Sequence, residues 1–179
     1  MTTIKPWADV VSAEAMAAVE RIFFSASGTQ AFASEEARAA FKERWFERYL
    51  LHDAAHGFVA VGDGGAIEGY LVGSLDDPAR TPRFGDIEYF TFFSEITARY
   101  PAHLHVNLDA RARSQGTGSA LVEAFCDHAQ AAGSRGVHVV TGKYARNTGF
   151  YERLGFYERG TTKSAGHAIV LLARDLRTE

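Results

Sequence analysis

The chain has a single cysteine, Cys126, among 179 residues. One thiol cannot close an intrachain disulfide or supply a multi-cysteine zinc site, and it fits a reducing compartment. Long apolar runs are missing too: none reaches the roughly 18 residues that argue for a membrane span. The opening MTTIKPWADVV lacks the basic residues and apolar stretch of a secretory signal. The expectation is therefore a cytoplasmic protein with no membrane partner. Nor is there an excess of positive charge. The formal net charge is −3, which argues against nucleic acid as a general partner. Internal repeats, low-complexity tracts and Pro/Ser-rich linkers are also absent. At 179 residues, 46% of them hydrophobic, the chain reads as one domain, 1–179. A core of that size needs neither disulfide nor metal to fold.

What is present is unevenly distributed. Residues 1–100 carry 9 Lys/Arg against 15 Asp/Glu, a net −6, whereas residues 101–179 carry 10 against 7, a net +3. A basic second half in an acidic protein points to an anionic ligand there.

Hydrophobic periodicity gives the elements. Ser12 to Ser25 reads as a helix, with Ala15, Met16, Val19, Ile22 and Phe23 on one stripe. Ser34 is placed to cap a second helix over 35–51, in which Phe41, Trp45 and Tyr49 are spaced four apart. A strand at Phe58–Val61, the Gly62–Gly65 cluster and a strand from Ile67 to Leu75 make a hairpin. In 76–100, Pro78 and Pro82 mark loop, and Tyr89 to Phe93 fits a strand or a buried helix equally. Leu104, Val106 and Leu108 then alternate with His103, His105 and Asn107, the period of a strand. A helix over about 117–132 follows, with Gly133 at its C′ position. A strand at Val137–Val140, a short helix at Asn147–Leu154 and a last strand at Ala168–Leu172 complete the chain. The economical fold is α/β, a mixed and partly parallel sheet with helices on both faces.

Two stretches carry chemistry. In Leu108-Asp109-Ala110-Arg111-Ala112-Arg113-Ser114-Gln115-Gly116-Thr117-Gly118 a strand ends, a turn carries two glycines, and a helix begins. Free N–H groups at a helix start, with the helix dipole behind them, form a phosphate site. Gly116 and Gly118 remove Cβ atoms that would block a pyrophosphate, and Arg113 adds a permanent cation. The third glycine and following acidic residue of a dinucleotide fold are missing, as is the Gly-Lys-Ser/Thr of a Walker loop. About 30 residues on comes Arg146-Asn147-Thr148-Gly149-Phe150-Tyr151-Glu152-Arg153-Leu154-Gly155-Phe156.

These two motifs, in this order and on these elements, resemble the GNAT superfamily of N-acetyltransferases over roughly residues 102–160. The resemblance implies a GNAT-like central sheet of six to seven strands and acetyl-CoA (coenzyme A) as cofactor. It implies that Arg113, Ser114, Gln115, Gly116, Thr117 and Gly118 cradle the pyrophosphate. The strand end at Leu108 and Asp109 would pair with the pantetheine amides and polarise the thioester carbonyl. Tyr151 would protonate the departing thiolate, and Asn147 matches a variant contact to the pantetheine arm. The family's more usual asparagine, seven residues before the tyrosine, is here Tyr144, and its proline after the strand is Ala110. Yet another similarity, through Tyr100 to Leu108, is to the acetyltransferase-like domain found with O-GlcNAcase.

Direct attack on a thioester needs a neutral amine, hence a base. His105 is the first candidate, beside the alternatives His103, Asp86, Glu88 and Asp109. His103 and His105 could instead ligand a metal, but a third ligand is not apparent. His52 and His56 lack the glutamate of a zinc-protease motif. The acceptor would be a primary amine of a small molecule or of a peptide or protein, favoured as a cation by the acidic first half. The competing readings are an acyl-CoA-binding domain without catalysis, and an interaction domain that binds no CoA. A homodimer paired through an exposed final strand is a further expectation.

Overall fold

A computed structural model describes residues 1–176. In chain order the elements are β1 (Thr3–Pro6), α1 (Ala13–Ala26), α2 (Glu35–Lys42), α3 (Arg48–His52), β2 (Phe58–Val61), β3 (Ile67–Ser74), α4 (Tyr89–Phe92), α5 (Ser94–Thr97), β4 (Ala102–Leu108), α6 (Thr117–Ala131), β5 (Gly136–Gly142), α7 (Thr148–Arg153), β6 (Tyr157–Ser164) and β7 (His167–Asp175). The strands form one seven-stranded mixed sheet in the order β1-β2-β3-β4-β5-β7-β6, in an α/β fold with helices on both of its faces. The β4–β5 pairing is parallel, through Ala102↔Val137 and His103↔His138. The pairs β1–β2, β2–β3, β5–β7 and β6–β7 are antiparallel. No helix among the described residues is long and apolar enough to cross a membrane.

The chain falls into two compact units, neither of them one continuous stretch. The first is Met1–Gly73 with His105–Phe125; the second is Ser74–Leu104 with the chain from Cys126 onward. β4 thus begins in the second unit and ends in the first.

In the first unit, the Ser12 hydroxyl caps α1 by accepting from Ala15 N–H at 3.0 Å, the interaction its position predicts. Ala15, Val19, Ile22 and Phe23 are buried as the spacing requires, but Met16 is exposed. Ser34 caps α2 in the same way, accepting from Ala37 N–H at 3.2 Å. The single helix expected over 35–51 is interrupted. Glu43–Glu47 forms a π-turn, in which Arg48 N–H bonds the Glu43 carbonyl five residues back. The aromatic stripe therefore splits. Phe41 and Phe46, five apart, both pack on Phe23 with centroids at 5.4 Å, while Trp45 and Tyr49 face elsewhere. Hydrophobic spacing alone does not show where a helix takes up an extra residue.

In the second unit the ambiguous stretch 89–93 resolves as helix, with Phe90 and Phe93 buried. Phe93 and Tyr100 pack with Leu171 and Ala173 of β7. Gly133, at φ +84°, follows α6, and Ser134 N–H reaches back to the Ala129 carbonyl, the C-terminal closure expected of that glycine. Two strands have no counterpart in the hydrophobic periodicity, β1 and β6, and they bring the sheet to seven strands, within the six to seven that the resemblance implies. The last of these corrects the edge as well. The final strand β7 lies between β5 and β6, so the sheet edges are β1 and β6.

Candidate functional site

The phosphate-binding motif lies in the first unit. The Asp109 carboxylate caps the turn Ala110–Ala112, accepting from Arg111 N–H at 3.0 Å and Arg111 Nε at 3.2 Å. These contacts hold its carboxyl below the usual range, the backbone N–H foremost. Its own N–H donates to the Glu68 carbonyl at 2.8 Å. Asp109 is therefore engaged at both ends, and its carboxylate is a turn former rather than a base. Leu108 packs close over Gly69 of β3, where an added Cβ would come within 2.4 Å of Leu108 Cδ2.

Beyond it the chain enters the left-handed region twice, at Ser114 (φ +63°) and Gly116 (φ +82°). Alternation of this kind turns successive N–H groups toward a common concavity. Gln115 Nε2 donates to the Arg111 carbonyl at 2.7 Å and pins the turn. The α6 ladder opens with Ala120 N–H to the Gly116 carbonyl, 3.0 Å. The N–H groups of Thr117, Gly118 and Ser119 precede that bond and are the orphan donors of a helix start. Arg113 is exposed and, among the described residues, its side chain forms no ion pair or hydrogen bond. A cleft of about 640 Å³ borders the turn at Gln115, Gly116 and Thr117, with Asp63 and Glu68 on its other side. Those carboxylates oppose an anion, weakly at an exposed site, so the free donors and Arg113 decide the preference of the turn.

The turn thus fits the pyrophosphate of coenzyme A: no atom lies within 4 Å of a Cβ built on Gly116, so the approach is open. Gly116→Ala fills it and places an L side chain at φ +82°. We expect this variant to lose about 1 kcal/mol of stability and, in a calorimetric titration, at least tenfold in acetyl-CoA affinity. Unaltered affinity would place the pyrophosphate elsewhere.

His105 is half-buried in the same unit. Its Nε2 is 3.1 Å from the Tyr49 hydroxyl, and the Trp45 ring meets it edge-on at 5.6 Å. Two residues along β4, Asn107 Nδ2 donates to the Tyr70 hydroxyl at 2.9 Å. Burial pushes the Tyr70 phenol well above its ordinary value, Asn107 pulling the other way. Trp45, Tyr49 and Tyr70 were not among the residues singled out by sequence. The four-residue spacing of Trp45 and Tyr49 on a helix is the one signal of them, and it marks a shared face without saying what that face meets.

Tyr151 and Asn147 belong to the second unit. Tyr151 is only 6% exposed, flanked by Phe150 at 5.0 Å and Phe156 at 5.6 Å. No described residue hydrogen-bonds its hydroxyl, and burial alone raises its pKa beyond the ordinary phenol range. Asn147 is exposed at the start of α7, its Oδ1 accepting from the Thr141 hydroxyl at 2.9 Å.

The other base candidates are placed less favourably. His103 is 3% exposed, wedged among Phe84 at 4.9 Å, Phe90 at 5.6 Å and His138 at 5.4 Å. It is a core residue of the second unit. Asp86 and Glu88 are exposed there. His52 ends α3 and His56 lies in a separate 3-10 turn, so the two do not share one helix face. Among the described residues no three His, Cys, Asp or Glu side chains cluster as a metal site would.

Residues 14–156 match the family described as "Acetyltransferase (GNAT) family". Among solved structures, SsHAT is similar over 99% of both chains at 22% identity, with a TM-score of 0.76. An N-acetyltransferase from Staphylococcus aureus Mu50 is similar over 99% of both chains at 17% identity, TM-score 0.66. The ribosomal-protein-S18-alanine N-acetyltransferase from Escherichia coli is similar over 100% of this chain and 96% of its own, at 17% identity and TM-score 0.62. At these identities the likeness is one of fold.

Proposed function

The chain belongs to the acetyltransferase (GNAT) family, and from that premise we propose that it moves the acetyl group of acetyl-CoA to a primary amine by direct attack on the thioester. The observation that carries the reading is the Arg113–Gly118 turn, with two left-handed residues, orphan N–H groups and a cation that has no partner among the described residues. Acetyl-CoA, when bound, supplies an acyl carbon activated by its sulfur leaving group. The N–H groups of the turn and Arg113 hold its pyrophosphate, the end of β4 at Leu108 and Asp109 lies along the pantetheine, and Asn147 is a further contact to that arm. His105 takes the proton of the acceptor amine, and Tyr151 holds a proton for the sulfur. The acceptor is a small-molecule amine or the lysine or N-terminus of a protein, and the whole of 1–179 acts as one GNAT-like domain.

The test is calorimetric titration with acetyl-CoA, followed by thiol release over a panel of amines and peptides. Ligand at 100 times Kd should stabilise the protein by about 2.7 kcal/mol, which is a rise in melting temperature of about 5–10 °C for a chain of this length. Release of thiol with at least one amine is the expected second result. Stabilisation without turnover on any amine would favour a non-catalytic acetyl-CoA-binding domain. That alternative has one observation behind it: two of the five base candidates, His103 and Asp109, are committed to core packing and turn formation. No stabilisation by any CoA thioester would overturn both.

A further inference from the structure

We propose that Tyr49 is the positioning residue for His105: its hydroxyl oxygen accepts the Nε2 proton and so fixes the tautomer in which the other ring nitrogen receives the acceptor's proton. The proposal rests on His105 being the base. Tyr49 is 1% exposed, whereas His105 is half-buried. The nitrogen facing Tyr49, at 3.1 Å, is therefore turned inward, away from any incoming amine. A base that presents its second nitrogen must carry hydrogen on the first, and a hydroxyl oxygen is a suitable acceptor for it.

The helix is built to hold this contact. In an unbroken α-helix Phe41, Trp45 and Tyr49 would share one stripe, committed either to the core at Phe23 or to His105. The π-turn at Glu43–Glu47 separates the two tasks. Phe46 takes its place beside Phe41 on Phe23, and Trp45 and Tyr49 clamp the imidazole edge-on at 5.6 and 5.2 Å. Turns of this type inside helices concentrate at functional positions. Arg48, next to Tyr49 in sequence, is held by Glu43 through Nε at 2.9 Å and Nη2 at 2.8 Å.

The hydrogen bond to Tyr49 strengthens when the imidazole is charged, because an imidazolium N–H is the stronger donor. Tyr49 therefore favours proton uptake as well as orientation. Tyr49→Phe keeps the ring and removes only the oxygen. We expect kcat to fall about tenfold, the acid limb of the kcat/KM–pH profile to move down by about half a pH unit, and acetyl-CoA affinity to stay unchanged. Imidazole ¹⁵N spectra of the wild-type protein are read independently of turnover and should show His105 as the Nε2–H tautomer. An Nδ1–H tautomer, an acid limb that stays in place or moves up, or an unchanged kcat would each overturn the assignment. His105→Gln separates the two layers: full turnover in that variant removes His105 as the base, whatever tautomer the spectra show.

Discussion

Replacing Tyr151 by Phe should lower turnover with acetyl-CoA and a competent amine by about 100-fold, the lower range for loss of a positioned acid, while the dissociation constant for acetyl-CoA changes less than threefold. The asymmetry follows from the surroundings of the side chain. Its ring packs against Phe150 and Phe156, contacts that phenylalanine keeps. The hydroxyl has no partner among the described residues to lose, so stability should stay within about 0.5 kcal/mol. Burial holds the phenol above its ordinary pKa, so the proton is in place throughout the neutral range. A phenol of that pKa is a weaker acid than a thiol in water, which ionises near 8.5. Its contribution is then greatest as a hydrogen-bond donor to the sulfur while negative charge develops there. One consequence is that the basic limb of the pH–rate profile should not report Tyr151 and should persist in the variant at reduced height. Turnover equal to wild type would leave Tyr151 as a packing residue beside Phe156.

The residues behind that expectation were legible in sequence because the chemistry imposes local form. Two glycines between a strand and a helix, with an arginine ahead of them, are recognisable without tertiary information. The structure adds the left-handed Ser114, which no composition rule favours. Where reading failed, burial was decided at a distance. Period-2 alternation put His103 and His105 on one face of β4, which says nothing of what covers each. Phe84 and Phe90, from a segment too irregular to read, close over His103. Trp45 and Tyr49 meet His105 because a π-turn shifts the phase of the helix, and hydrophobic spacing cannot place one inserted residue.

β6 escaped for a different reason. Tyr-Glu-Arg-Gly-Thr-Thr-Lys-Ser has no apolar alternation, since β6 is an edge strand and the apolar residues of that hairpin are on β7. Its turn, Ala165-Gly166, has both residues at positive φ, 47° and 80°. That is the conformation usually announced by Asn-Gly, and alanine does not announce it. Of the two basic side chains of the strand, Arg159 is tied locally, reaching Asp175 at 3.0 Å. The net +3 of residues 101–179 is therefore a poor guide to any one site, and within it Arg113 matters because it is exposed and, among the described residues, unpaired.

His138 should make the fold acid-sensitive in a range where most carboxylates are still ionised. Its ring is completely buried in the second unit, stacked at 5.4 Å on His103, with Nδ1–H donating to the Tyr100 carbonyl. Burial pushes its pKa down from 6.5 to about 4, the hydrogen bonds to Tyr100 and Ala102 and the charge of Asp77 opposing the shift only in part. The folded protein thus refuses a proton that the unfolded chain accepts below pH 6.5. Stability conferred by the neutral ring is complete above that pH and is lost as pH falls toward 4. The loss should amount to about 2 kcal/mol between pH 7 and 5, and about 3 kcal/mol by pH 4. Urea unfolding at pH 7 and pH 5 reads the difference directly. His138→Asn is the control, because its side-chain amide can donate to the Tyr100 carbonyl from the Nδ1 position yet does not titrate. We expect the variant to be the less stable protein at pH 7, having lost ring packing, but to lose about 2 kcal/mol less than wild type on going to pH 5. Equal losses in the two proteins would assign the acid sensitivity to other groups.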